Sequence, residues 1–132
     1  MIGTLRRKLG FIVSFVLTLA SSNAGLAADP ENGRTVFAEC AACHTLAEPT
    51  GEEALGPSLE GLLGATAGSR DDYRYSAAIR RSGIVWTPET LEQFIADPQG
   101  LVRGNRMAFA GISDETARAD LLAYLAQELA AE

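Results

Sequence analysis

Side chains that commonly bind metals are scarce in this chain of 132 residues, which has one histidine and two cysteines. A structural zinc site normally needs four nitrogen or sulfur ligands, so zinc would require additional carboxylates. Segments that alternate apolar and polar residues in the manner of β-strands are also missing. A thioredoxin-like redox dithiol lies beside such strands, so the sequence disfavours both a zinc site and a redox dithiol.

Lysine is the second shortage, because Lys8 is the only lysine in the chain. Residues 28–132 carry eight arginines and 17 acidic residues, which gives them a formal charge of −9. A surface with this balance repels the phosphates of nucleic acids. The composition therefore argues against a nucleic-acid-binding protein.

The amino-terminal segment has the pattern of a secretory signal. Basic residues at 6–8 precede an apolar run at 11–20, and small residues follow. The apolar run is shorter than the roughly 20 residues that a membrane span needs. We therefore predict that residues 1–27 are a cleaved signal peptide, that residues 28–132 form a single domain, and that the protein is periplasmic. The alternative is that the segment stays uncleaved as a membrane anchor.

Four stretches have the periodicity and the end signals of α-helices, which predicts an all-α fold. They span residues 29–44, 75–83, 87–98 and 113–132. Each has a side chain near its start that can accept hydrogen bonds from the first turn, namely Asp29, Ser76, Thr87 and Ser113. The connections at 45–75 and 97–112 are long for a compact domain. Such lengths make sense if the backbone wraps a group other than its own side chains.

Both cysteines and the only histidine fall within the stretch "CAACH", residues 40–44. The spacing C-x-x-C-H is the signature of covalent haem attachment. Residues three apart share one helix face, so the sulfurs of Cys40 and Cys43 can bond two vinyl groups along one haem edge. His44 follows directly and can place its imidazole under the iron. A zinc site, a redox dithiol and a structural disulfide remain alternatives for this cluster.

A second iron ligand can be sought by elimination. Met107 is the only methionine other than Met1. It lies in the polar stretch "RGNRMAFAG" rather than on an apolar helix face, although a single methionine can also be core filler. A His/Met ligand pair suits electron transfer, because the thioether raises the reduction potential and completes the coordination of the iron.

With these features the sequence resembles class I cytochrome c, of the mitochondrial-like and short soluble bacterial type. The resemblance runs through "NGRTVFAECAACHT", "GPSLEGLLG", "YRYSAAIRRSGIVWTPETL", "DPQGLVRGNRMAFAGI" and "RADLLAYL". It implies about four helices and long loops around one haem c, attached through Cys40 and Cys43. It also implies a respiratory single-electron carrier rather than an enzyme.

The resemblance further implies a set of site residues. The iron ligands would be His44 and Met107, and the cofactor-binding residues would be Cys40, Cys43, Pro57, Tyr73, Tyr75, Trp86 and Asn105. The Pro57 carbonyl would accept from the His44 ring. The three aromatic side chains would hydrogen-bond the haem propionates, unless they are ordinary core aromatics. Asn105 stands where relatives often have threonine and could donate to a propionate.

Other positions depart from the pattern or are structural. Ala65 replaces an arginine that relatives often use to offset a propionate, and Phe94 replaces a tyrosine near the methionine sulfur. Gly33 and Phe37 would meet the carboxyl-terminal helix at Leu121 and Tyr124, where the small glycine allows the helices to approach closely.

The expected partners are redox proteins, such as a membrane cytochrome complex, an oxidase or a dehydrogenase, and the protein is expected to be a monomer with only transient membrane contact. Arg103 and Arg106 would steer it toward an acidic patch on a partner. Alternatively, Glu48, Glu52 and Glu53 dock onto a basic partner, or all these charges are simply solvated. A dedicated dehydrogenase subunit, and a haem sensor or peroxidase-like protein with a labile Met107, are the alternative functions.

Overall fold

The computed structural model describes residues 27–47 and 55–130. Five helices occur in these ranges: α1 (Pro30–Ala41), α2 (Ala77–Arg81), α3 (Pro88–Ala96), α4 (Pro98–Leu101) and α5 (Glu115–Ala130). In the same ranges the only β-type pairing is an isolated antiparallel bridge between Thr66 and Val85. The all-α prediction is therefore confirmed. The predicted signal segment through residue 26, and Glu48, Glu52 and Glu53, lie outside the described residues.

The helix starts follow the predicted capping residues with one exception. The side chains of Asp29, Ser76 and Thr87 accept from main-chain N–H groups of α1, α2 and α3, as expected. The prediction of Ser113 for α5 was wrong. Asp114 has this role, because its Oδ1 accepts from the N–H of Ala117 at 2.9 Å.

The one-turn helix α4 is a further correction, because its segment was predicted as loop. Pro98 follows Asp97, the residue that caps the end of α3, and fixes its own φ at a helical value. Asp97 then accepts from the N–H of Gly100 through Oδ1 at 2.9 Å, which starts a new turn. The same two residues that end α3 therefore begin α4, and the structure has five helices rather than about four.

Helices α1 and α5 cross at the position that the sequence indicated. A Cβ at Gly33 would overlap the main-chain carbonyl of Asp120 and lie 2.8 Å from the Cβ of Tyr124. The rings of Phe37 and Tyr124 pack beside this point with centroids 5.5 Å apart. Leu121 is fully buried at the same junction. The crossing anchors α1, whose far end leads into the C-x-x-C-H cluster.

The cluster itself continues the last turn of α1. The N–H groups of Cys43 and His44 both donate to the carbonyl of Cys40, at 3.0 and 2.8 Å. Cys40 and Cys43 are thus held one turn apart, as the spacing predicted.

Among the helices in the described ranges, none combines the length and the apolar character that crossing a bilayer demands.

Candidate functional site: a cofactor cavity

A cavity of about 530 Å³ opens in the centre of the fold. Its walls come from the end of α1, from the segment 55–70, from α3 and from the segment 105–109. Protein interiors are normally close-packed, with few voids larger than a water molecule. A cavity of this size, bordered by core residues such as Leu91 and Phe94, therefore fits a large apolar group.

All nine residues that the sequence singled out for the site border this one cavity. They are Cys40, Cys43, His44, Pro57, Tyr73, Tyr75, Trp86, Asn105 and Met107. They come from segments up to 67 positions apart in the chain, from residue 40 to residue 107. The fold thus brings together the two thiols, the imidazole and the thioether.

The two thiols differ in their surroundings. Cys43 is exposed and Cys40 is half-buried, and the two are not joined to each other. Burial raises the pKa of the Cys40 thiol, and the carboxylate of Glu39 adds to the rise. Among the described residues, no group of three His, Cys, Asp or Glu side chains is placed to hold a metal ion. The described residues therefore give no support to a zinc site at this cluster.

His44 is held in one orientation by Gly56 and Pro57. Its Nδ1 lies 2.8 Å from the carbonyl oxygen of Pro57. A carbonyl oxygen only accepts, so Nδ1 carries the hydrogen and donates, which leaves the lone pair on Nε2. Gly56 makes room for the ring, because a Cβ there would lie 2.7 Å from His44 Cε1. Sequence reasoning missed this role of Gly56, although the glycine directly before Pro57 was the available signal.

The aromatic side chains form two pairs along the wall. Trp86 packs edge-on against Phe94 with centroids 5.1 Å apart, and Tyr73 packs edge-on against Tyr75 at 5.0 Å. The hydroxyl of Tyr73 donates to the carbonyl of Leu55 at 3.1 Å. Burial raises the pKa of Tyr75. These rings give the cavity an apolar wall with two phenol groups on it.

Arg70 is a cavity residue that the sequence analysis did not select. Its Nε donates to Asp72 Oδ1 at 2.9 Å, and its Nη1 donates to the carbonyl of Glu60 at 3.0 Å. The hydrogen bond from Arg70 lowers the pKa of Asp72. Ala65 also borders the cavity and brings no charge of its own, whereas Arg70 adds a guanidinium to the residues that line it.

The methionine side of the cavity is built from a short hydrogen-bonded loop. Met107 is half-buried against the core, and its N–H donates to Asn105 Oδ1 at 2.9 Å. The Nδ2 group of Asn105 donates to the carbonyls of Pro98 and Val102, at 2.8 and 2.9 Å. The loop thus has an internal support that does not depend on contacts with solvent.

Comparison with known proteins gives the cavity its context. The family model for cytochrome c matches residues 30–128. The chain belongs to the cytochrome c family. It is 39% identical to cytochrome c2 of Blastochloris viridis over 117 residues, which are 88% of this chain and 91% of that protein. It is also 41% identical to cytochrome c2 of Agrobacterium tumefaciens, over 74% of this chain and 89% of that protein.

A solved structure agrees with these relatives. Cytochrome cH from Methylobacterium extorquens superimposes with a TM-score of 0.68 at 40% identity, over 75% of this chain and 98% of that chain. Membership of the family confirms the class I cytochrome c fold and a haem c attached through Cys40 and Cys43. It also makes the chain an electron-transfer protein rather than an enzyme.

Proposed function

We propose that the protein is a periplasmic single-electron carrier whose haem iron is held by His44 and Met107. The proposal rests chiefly on one observation, which is that the imidazole and the only thioether of the described residues border the same cavity as the two thiols. The Pro57 carbonyl fixes the tautomer of His44 that leaves Nε2 as a ligand. The predicted signal segment at 1–27 supports export.

The haem, when bound, supplies an iron that changes its charge by one electron. The residues of the chain control its surroundings. Apolar side chains such as Leu91, Phe94 and Ile95 keep water from the interior of the cavity. His44 and Met107 would both hold the iron, which suits the transfer of single electrons. A sensor or a peroxidase-like protein would instead need an iron that can bind an added ligand.

The proposed redox partner presents an acidic patch. Three arginines are paired with carboxylates: Arg34 with Glu31, Arg70 with Asp72, and Arg118 with Glu92. Five others have no ion pair within residues 27–47 and 55–130, and we call them the arginine face: Arg74, Arg80, Arg81, Arg103 and Arg106.

The arginine face spans two segments that touch each other. The guanidinium of Arg106 donates to the carbonyl of Arg74. A Cβ at Gly104 would lie 3.7 Å from the Cβ of Ala78. The face adjoins the methionine side of the cavity, because Arg106 borders the cavity and precedes Met107. A carboxylate-bearing partner bound there would be close to the cofactor.

Two measurements on protein from the periplasm of a host with haem-attachment machinery test this function. The denatured protein should have the mass of the polypeptide without residues 1–27 plus one haem. A redox titration should show one reversible one-electron step, and the reduced protein should not bind carbon monoxide rapidly. Rapid carbon monoxide binding would contradict the electron-carrier proposal and favour a sensor or a peroxidase-like protein.

A further inference from the structure

The side chain of Asn105 is buried, with 7% of its surface exposed, and all of its polar groups face the main chain. Nδ2 donates to the carbonyls of Pro98 and Val102, and Oδ1 accepts from the N–H of Met107. Two carbonyls require donors and one N–H requires an acceptor. These partners therefore fix which end of the amide is oxygen and which is nitrogen.

These contacts tie together both ends of residues 98–107, which we call the Met107 loop. Pro98 is the first residue of α4 and Val102 follows its last residue, whereas Met107 lies five positions further on. Gln99 adds a second support, since its Nε2 donates to the carbonyl of Asn105 at 3.1 Å. The main chain before Met107 is thus held by the side-chain amides of Asn105 and Gln99, and the contact with Met107 itself comes from Asn105. Both Nδ2 hydrogens are used inside the loop, so neither remains for a haem propionate.

We propose that Asn105 is a positioning residue, which holds the thioether of Met107 in place for the iron by clamping residues 98–107. This role rests on the proposed ligation by Met107. A thioether is a weak ligand, so its occupancy depends on how well the chain presents the sulfur. Each lost hydrogen bond between the clamp and the loop should therefore raise the fraction of molecules in which the sulfur has left the iron.

The Asn105→Asp variant isolates this effect, because aspartate has the same shape and keeps the acceptor for Met107 but has no donor for the two carbonyls. Imidazole serves as the probe, since it binds oxidised iron only when the sulfur position is free. Its apparent affinity scales with the fraction of molecules in that state. We expect an increase on the order of tenfold, from two lost hydrogen bonds. The sulfur-to-iron absorption band should weaken in parallel.

The Asn32→Asp variant is the matched control. Asn32 donates to Asp120 at 2.7 Å, at the junction of α1 and α5. The same chemical change there places two carboxylates side by side and destabilises the fold without touching the Met107 loop. Imidazole affinity should stay at the wild-type level in this control. An equal rise in both variants would overturn the proposal, because general loosening would then explain the result.

Two more variants keep the test decisive. Asn105→Thr retains one donor and should give an intermediate affinity even if Asn105→Asp folds poorly. Met107→Ala should give the highest affinity. If Met107→Ala raises the affinity and neither Asn105 variant does, the clamp is disproved while the ligation stands. If Met107→Ala changes nothing, the ligation itself is wrong.

Discussion

His44 is constrained from two sides by its neighbours Gly56 and Pro57. The Pro57 carbonyl accepts from Nδ1, and the missing side chain at Gly56 leaves space for the ring at Cε1. The two residues therefore set the tautomer and the tilt of the imidazole together. Changes at these positions should alter the surroundings of the iron without removing a ligand.

We expect the Gly56→Ala variant to shift the His44 ring, because the new Cβ would lie 2.7 Å from Cε1 and 2.9 Å from Nδ1. Crowding of this kind costs about 1–3 kcal/mol of the free energy of unfolding. The reduction potential should change as well. Gly64→Ala is the control, because its Cβ meets no atom within 4 Å and adds only backbone strain at a φ of 85°. A potential that shifts equally in both variants would contradict this role for Gly56.

Removal of the thioether tests the second ligand. The Met107→Ala variant should lose the weak sulfur-to-iron absorption band of the oxidised protein, because no other methionine occurs in the described residues. Its reduction potential should fall, since a thioether ligand raises the potential. Absorption spectroscopy and redox titration measure both effects. Survival of the band and of the potential would rule out Met107 as a ligand.

The sequence offered candidate site residues where the evidence is local or unique. The C-x-x-C-H spacing lies within five positions, and Met107 was found by elimination. Gly56 was missed because its role depends on contact with the ring of His44, which lies 12 positions earlier in the chain. Arg70 was missed because only the fold shows that it borders the cavity. The hydrogen bonds of Asn105 were missed for a related reason, since only the folded loop shows that its amide turns toward Pro98 and Val102.

At the scale of elements, the α1–α5 junction contains a buried carboxylate. Asp120 is 4% exposed, and its oxygens accept from the N–H of Asp29 and from Nδ2 of Asn32, each at 2.7 Å. These hydrogen bonds lower the pKa of Asp120, and the one from the N–H of Asp29 has the largest effect. The charged form is therefore favoured in the folded state, and it joins the start of α1 to α5.

The lowered pKa of Asp120 predicts how acid affects stability. Its contribution is present above the ordinary aspartate pKa of about 3.9 and is lost as the pH falls through the lower folded value. The Asp120→Asn variant should thus be less stable than wild type at pH 7, with a smaller difference at pH 3. Urea unfolding at the two pH values measures this. Glu128→Gln, which removes an exposed carboxylate from the same helix, is the control. Equal pH profiles for Asp120→Asn and wild type would contradict the prediction.

Three helix starts were predictable because a capping side chain and its targets lie within three residues of each other. The helix α4 was missed because "ADPQG" has the features of a helix end, and here one helix ends where the next begins. Ser113 and Asp114 are both good capping residues, and the sequence alone could not choose between them. The Asp29–Asp120 contact joins residues 91 positions apart, which no local pattern indicates.

Residues 28–132 carry a formal charge of −9, whereas the five residues of the arginine face have no ion pair within the described residues and lie on two segments that touch each other. We therefore expect the charge of the molecule to be distributed asymmetrically. Such an asymmetry orients a protein during its approach to a charged partner and raises the association rate. The effect is screened by salt, because the Debye length is about 8 Å at physiological ionic strength.

The Arg106→Glu and Arg103→Glu variants test the arginine face. Electron transfer to the native partner should slow on the order of tenfold at low salt and approach the wild-type rate at high salt. Stopped-flow kinetics across a salt series measures both limits. Arg34→Glu makes the same change in net charge on α1 and should slow the reaction much less.

The outcomes separate the three hypotheses about charge. An unchanged rate in both arginine-face variants would mean that these charges are only solvated. A faster rate would mean that an acidic surface docks, as the alternative with Glu48, Glu52 and Glu53 requires. If Arg34→Glu slowed electron transfer equally, the change in rate would come from net charge alone and not from the arginine face.

We expect the central cavity to bear on how the protein is made. Without the haem, the apolar side chains around this cavity of about 530 Å³ would meet water instead of a packed group. Because a typical domain is stable by only roughly 5–15 kcal/mol, that loss of packing should weigh heavily on the fold. The polypeptide alone should therefore stay open after synthesis, with Cys40 and Cys43 accessible to the machinery that attaches the haem. We expect the core to close only when the haem fills the cavity, so that resistance of a newly made chain to proteases should appear together with haem attachment.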